Sequence, residues 1–166
     1  MVPNDAELNA LAGQAAAVLT AEGLSLASAE SCTGGWLAKT ATDLVGSSRW
    51  FERGFVTYSN AAKQELLGVS PDTLARHGAV SEATARAMAQ GALAHSRAQV
   101  SLAITGIAGP GGATLDKPVG LVWFAWARQG AEPVARSVRF EGDRDAVRRA
   151  SVATAWQGLL DLLAVP

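Results

Sequence analysis

The chain has 166 residues and 49% hydrophobic content, enough for one domain with a real core and too little for two of ordinary size. Fourteen basic residues against fifteen acidic ones leave a formal net charge of −1, so no overall basic field draws nucleic acid or an anionic membrane. The single cysteine, Cys32, excludes an intramolecular disulfide, and His77 and His95 lie too far apart in sequence to read as paired metal ligands. No apolar run approaches the roughly 20 residues that cross a bilayer. Asn4, Asp5 and Glu7 put acid where the basic residues of a signal peptide would sit. The expectation is a soluble, metal-free domain, 1–166, of the reducing cytoplasm.

Asn4 with Glu7 three residues later is a capping-box start, and Leu8, Leu11, Ala15, Val18 and Leu19 mark one helical face that Gly23 closes. Leu24 to Ala29 is a short apolar strand. It runs straight into Glu30-Ser31-Cys32-Thr33-Gly34-Gly35, where Thr33 is the expected N-cap of a second helix ending at Gly46. A second strand is expected at about Trp50 to Thr57. After it, Ser59 or Asn60 caps a short helix carrying Lys63, Leu66 and Leu67. Ser70-Pro71 opens another helix with proline at its first position, and Ser81 caps a longer one to about Ser96.

Gln99 to Ile104 reads as the third strand. The loop from Thr105 to Pro118, rich in glycine and proline, has neither helical nor strand period, and loops of that length in compact domains are usually functional or disordered. Val119–Ala127 and Val134–Phe140, on either side of Gln129-Gly130, read as a β-hairpin, and Asp143 caps a last helix from Arg144 to Leu163. Strands separated by helices, followed by a terminal hairpin, predict an α/β fold. The form expected is a three-layer α/β/α sandwich with a mixed, mostly parallel sheet of about five strands. Sites in such sheets gather at the carboxyl ends of the parallel strands, where Ser31, Tyr58 and Thr105 are expected.

Ser31 sits at a strand-to-helix turn resembling a nucleophile elbow, although the Gly-x-Ser-x-Gly pattern is absent; the plain alternative is that Ser31 and Thr33 only cap a helix. Lys63 is more informative. If Asn60 is the cap, Lys63 falls at the third helical position, where the helix dipole opposes a cation. A lysine held there and partly buried has its pKa lowered, as a neutral general base requires, whereas a solvated surface lysine would do nothing. Tyr58, the only tyrosine, is either a substrate-orienting group or a rim residue. Ser48 is either a catalytic hydroxyl or a turn residue, and Cys32 either a nucleophile or buried packing. The Thr105–Gly112 loop offers backbone N–H groups for a phosphate or a carbonyl oxygen, and Arg144 opens the last helix beside them. Walker A and Gly-x-Gly-x-x-Gly patterns are absent.

Seven segments together resemble one family from end to end. They are Ala29–Gly35, Gly46-Ser47-Ser48, Gly54–Asn60, Lys63, His77–Ser81, Thr105–Pro110 and Lys117–Gly120. The chain is similar to stand-alone members of the CinA carboxy-terminal domain family, the nicotinamide mononucleotide deamidases. In longer members the domain follows a larger N-terminal one. The resemblance implies hydrolysis of nicotinamide mononucleotide to nicotinic acid mononucleotide and ammonia in pyridine nucleotide recycling, without metal or cofactor. It implies a serine–lysine mechanism with Lys63 as general base, Tyr58 assisting, and Ser48 or Ser31 as nucleophile. Thr33, Gly34, Gly35, Asn60, Thr105, Gly106, Ile107 and Gly109 would bind substrate, and Arg144 is its candidate phosphate ligand. The same likeness implies a homodimer, and the five tryptophans leave room for an aromatic interface. Two competing functions are a non-catalytic nucleotide-sensing or partner-binding module and a metal-dependent phosphate-ester hydrolase. The second would want clustered carboxylates, a pattern that Glu30, Asp43 and Glu52 do not form.

Overall fold

The computed structural model describes residues 1–166. Asp5–Glu22 forms α1, opened by the reciprocal Asn4/Glu7 capping box and closed by Gly23 in the left-handed region. The remaining elements, in chain order, are β1 (Leu26–Glu30), α2 (Trp36–Thr42), β2 (Phe51–Val56), α3 (Asn60–Leu67), α4 (Pro71–His77), α5 (Glu82–Ala94), β3 (Val100–Gly106), β4 (Leu121–Arg128), β5 (Val134–Arg139) and α6 (Arg144–Leu163). Side-chain oxygens of Ser59, Ser70, Ser81 and Asp143 accept the first free N–H groups of α3, α4, α5 and α6.

The five strands lie in the order β2-β1-β3-β4-β5, with β2-β1 and β1-β3 parallel and β3-β4 and β4-β5 antiparallel. Only β4 therefore opposes the common direction. This is the expected mixed, mostly parallel sheet in a three-layer sandwich. The two faces differ in the size of what they carry, because side chains alternate along each strand. Leu26, Val100, Leu102, Ile104, Val122, Phe124 and Trp126 pack against α1, α2 and α6. Ala27, Ala29, Ala103, Ala125 and Ala127 point the other way, and their small side chains let the alanine-rich α5 lie close, with α3 and α4 beside it. Trp50, Trp126 and Trp156 are core residues, so at most two of the five tryptophans, Trp36 and Trp123, are left for any interface.

Two local expectations give way. Thr33 does not cap α2. The helix begins only at Trp36, after Gly35 at φ 101, where no side chain caps it. Instead the buried Glu30 carboxylate at the end of β1 accepts from the N–H groups of Leu37 (2.9 Å) and Ala38 (3.2 Å). A carboxylate is well suited to a helix N-terminus, and here it arrives from a neighbouring strand rather than from the preceding turn. The same helix stops at Thr42 rather than running to Gly46, which instead introduces a 3₁₀ turn, Ser47–Arg49.

The chain leaves β1 through α2 on one face and returns from β2 to β3 through α3, α4 and α5 on the other. The reversal opens a crevice beyond the carboxyl ends of β1 and β3, the usual place for a ligand in an open α/β sheet.

Candidate functional site

Glu30 pairs with Val56 on one side and Ile104 on the other. The next residues, Ser31, Thr57 and Thr105, therefore emerge side by side, tied by Thr57 N–H to the Glu30 carbonyl (2.8 Å) and Ser31 N–H to the Ile104 carbonyl (2.9 Å). Strand alternation turns Ser31 and Thr105 toward the face covered by α3, α4 and α5. Thr105 confirms this orientation, since its hydroxyl donates to the Ala79 carbonyl between α4 and α5 at 2.8 Å.

Lys63 reaches the same point from α3. Ser59, not Asn60, is the N-cap, accepting from Ala62 N–H at 3.0 Å, so Lys63 sits one position deeper in the helix than an Asn60 cap would place it. It is 1% exposed. Its Nζ lies 3.0 Å from Ser31 Oγ and donates to the carbonyls of Thr57 (2.9 Å) and Tyr58 (3.3 Å). Three oxygens around Nζ match the three N–H groups of an ammonium, and equally a neutral amine whose two N–H groups meet the carbonyls while its lone pair takes the serine hydroxyl. Burial lowers the Lys63 pKa, opposed only by Cys32. That opposition is absent at neutral pH, because burial pushes the Cys32 thiol up to about 12 and keeps it protonated. Cys32, 6% exposed, is thus held as a protonated thiol next to Ser31.

Around this pair is a cavity of about 250 Å³, whose walls include Ser31, Lys63, Thr105, Gly106, Ile107 and Gly109. Tyr58 is 63% exposed at its rim. The Tyr58 carbonyl, not its hydroxyl, meets Lys63; the hydroxyl lies 3.2 Å from Arg144 Nη2, while Arg144 Nη1 donates to the Gly109 carbonyl at 2.8 Å. Arg144 therefore bridges the ends of β2 and the glycine-rich loop. In that loop the N–H groups of Ala108, Gly109, Gly111 and Gly112 donate to no acceptor in the chain. Lys117 fastens its far end by donating to the His77 carbonyl, 2.6 Å away at the end of α4. No three His, Cys, Asp or Glu side chains converge on one point.

The fold brings Ser31, Lys63, Tyr58, Thr105, Gly106, Ile107, Gly109 and Arg144 together. It does not bring Ser48. That residue lies exposed in the 3₁₀ turn before β2, and the six residues of the strand, about 20 Å at ~3.3 Å each, separate it from Tyr58. Asn60 is exposed on the first turn of α3. Thr33, Gly34 and Gly35 shape the turn behind Ser31 rather than lining the cavity. Sequence reasoning missed Arg148, whose Nε donates to the Cys32 carbonyl (3.1 Å) and Nη2 to the Thr33 carbonyl (3.2 Å). Its signal was available: Arg148 is four residues after Arg144 and so on the same side of α6. Ala79 and Val80, which also line the cavity, carry no polar side chain to draw notice.

Known proteins match this chain along nearly its whole length. Nicotinamide-nucleotide amidohydrolase PncC of Escherichia coli K12 is 55% identical over 155 residues, 93% of this chain and 94% of that protein. A CinA-like protein of Syntrophotalea carbinolica is 54% identical over 149 residues, which are 90% of this chain but 36% of that longer one. Among solved structures, competence/damage inducible protein CihA from Agrobacterium tumefaciens superposes with a TM-score of 0.92 at 44% identity, covering 98% of each chain. The family model described as the CinA C-terminal domain matches residues 8–163, and the chain belongs to that family.

Proposed function

We infer that the chain is a nicotinamide-nucleotide amidohydrolase. It converts nicotinamide mononucleotide and water to nicotinic acid mononucleotide and ammonia through a serine–lysine mechanism. The observation that carries the mechanism is the 3.0 Å contact between a fully buried Lys63 Nζ and Ser31 Oγ at the mouth of the crevice. The substrate comes from the near full-length identity to PncC.

In this reading neutral Lys63 takes the proton of Ser31 as Oγ attacks the carboxamide carbon. The tetrahedral oxyanion forms beside the peptide that follows Ser31, whose Cys32 N–H donates to no acceptor in the chain. Collapse breaks the C–N bond. Lys63 returns the proton to the departing nitrogen, and ammonia leaves an ester on Ser31. Water then attacks the ester, with Lys63 again taking and returning a proton, and the carboxylate product is released. The cavity suits the pyridine carboxamide, and Arg144 at the rim suits the 5′-phosphate, with the free N–H groups of Gly111 and Gly112 nearby. The enzyme is taken to work in the cytoplasm, as a homodimer and without cofactor.

The test is ammonia release from nicotinamide mononucleotide in the presence of chelator, by the unaltered protein and by Lys63→Ala, Ser31→Ala and Ser48→Ala. We expect Lys63→Ala and Ser31→Ala each to lose ~10³-fold or more in kcat, and Ser48→Ala to stay within about twofold. Quenched wild-type enzyme should carry a nicotinoyl nucleotide mass on the peptide containing Ser31. Absence of ammonia release by the unaltered protein would refute the reading; a label on Ser48 would refute the assignment of Ser31.

A further inference from the structure

Behind the Ser31 turn, on the face of the sheet opposite Lys63, one cation holds two consecutive carbonyls. Arg148 of α6 donates from Nε to the Cys32 carbonyl and from Nη2 to the Thr33 carbonyl, at 3.1 and 3.2 Å, while its guanidinium lies 5.2 Å from the centre of the Trp36 ring. The turn is thus gripped from both sides, by Lys63 at Ser31 Oγ and by Arg148 at the two carbonyls that follow. We propose that Arg148 is a positioning residue for the amide hydrolysis, holding the turn by its Cys32 and Thr33 carbonyls so that the Cys32 N–H, on the cavity wall, stays on the oxyanion. The proposal rests on the amidohydrolase reading above.

The geometry follows from the planarity of the peptide bond. The Cys32–Thr33 bond is trans, as the sole cis bond is Gly109–Pro110, so the Thr33 N–H points opposite to the Cys32 carbonyl. That carbonyl points toward α6, and the Thr33 N–H accordingly points away from α6. The next peptide is oriented likewise, its Gly34 N–H returning to the Ser31 carbonyl at 3.1 Å and closing the turn. The N–H groups of Cys32 and Thr33 donate to no acceptor in the chain, and of the two residues Cys32 lines the cavity, so its N–H is the one available to a developing negative oxygen.

Gly34 and Gly35 lie at φ 59 and 101, so the peptides that enter these two glycines, Thr33–Gly34 and Gly34–Gly35, can rotate at little steric cost. Such a rotation would carry the Thr33 carbonyl off α6 and loosen the turn that holds the Cys32 N–H on the cavity wall. The guanidinium opposes it with a charge-assisted hydrogen bond on each carbonyl. Lysine in its place would keep the charge but not the fork that spans both carbonyls.

The experiment compares wild type with Arg148→Met, Arg148→Lys and Arg148→Ala, each shown folded by its thermal transition. We expect Arg148→Met and Arg148→Lys to lower kcat about 10- to 100-fold with KM within about twofold, somewhat less than the 10²–10³ lost with an oxyanion donor itself. The acid limb of the pH–rate profile should stay in place, because Lys63 is untouched. Added guanidinium should recover part of kcat in Arg148→Ala and nothing in Lys63→Ala. Unchanged kcat in folded Arg148→Met, full activity in Arg148→Lys, or a change confined to KM would each overturn the proposal. Failure of the amidohydrolase reading is seen separately, as no ammonia from wild type.

Discussion

A lysine works as a base only when it has lost its proton, so in the proposed serine–lysine mechanism the environment of Lys63 would set the pH at which the enzyme turns over. Burial lowers its pKa from the ordinary value of 10.5. In the folded protein the group therefore releases its proton at a pH where an unfolded lysine would still hold it. kcat/KM should rise with pH through that depressed pKa and reach a plateau below 10.5, and Lys63→Arg should show no such rise, because a guanidinium does not deprotonate in this range. A limb centred at or above an ordinary lysine pKa would contradict the neutral-base role. The sequence made Lys63 suspicious because a cation early in a helix is opposed by the dipole, although the actual cap, Ser59, puts it one residue deeper than the Asn60 alternative. It could not choose between Ser31 and Ser48, since both follow or precede strands at glycine-bearing turns. Only the direction of β2 separates them, by putting Tyr58 and Ser48 at opposite ends of the sheet.

Elements whose ends are written in the local sequence were legible, and elements closed by distant partners were not. α6 runs from Arg144 to Leu163 as its Asp143 cap announces, and α1 follows its capping box. α2 failed because its N-terminal N–H groups are met by Glu30 across seven and eight residues, a partnership without a local motif. A second invisible constraint is Gly158. Its place in α6 looks like a mild helix weakness, yet a Cβ there would lie 2.0 Å from Trp126 Cζ2. The indole cannot easily yield, because its Nε1 donates to the Ala155 carbonyl at 2.9 Å and its ring stacks on Phe124. Gly158→Ala should consequently destabilise by about 1–3 kcal/mol, against the gain alanine usually brings to a helix. The urea midpoint should fall with m unchanged, while kcat/KM of the folded fraction stays near wild type. A higher midpoint would show that the α6–sheet contact has slack.

The topology concentrates the chemistry. Reversal of the chain between the two faces opens the crevice at β1 and β3, and each neighbouring strand places polar groups at its carboxyl end: Ser31 after β1, the Thr57 and Tyr58 carbonyls after β2, and Thr105 on β3. α3 adds Lys63 from one face, and α6 adds Arg144 at the rim and Arg148 from the other face. A ligand in the crevice should therefore tie β1, β2, β3, α3 and α6 together and stabilise the folded chain by mass action. This separates catalysis from mere sensing of a nucleotide, since binding can be followed where turnover has been removed. In Ser31→Ala, nicotinamide mononucleotide at 100 times its Kd should add about 2.7 kcal/mol. At ~2–4 °C per kcal/mol for a chain of this size, the melting temperature should rise by roughly 5–10 °C. Arg144→Gln in the same background should need several times more ligand for an equal shift, and nicotinamide riboside, lacking the phosphate, should be almost insensitive to that change. A sensing module would give the shift while the wild-type protein released no ammonia. An enzyme that binds through this crevice gives both, and an equal loss for phosphorylated and unphosphorylated ligands would remove Arg144 from the phosphate.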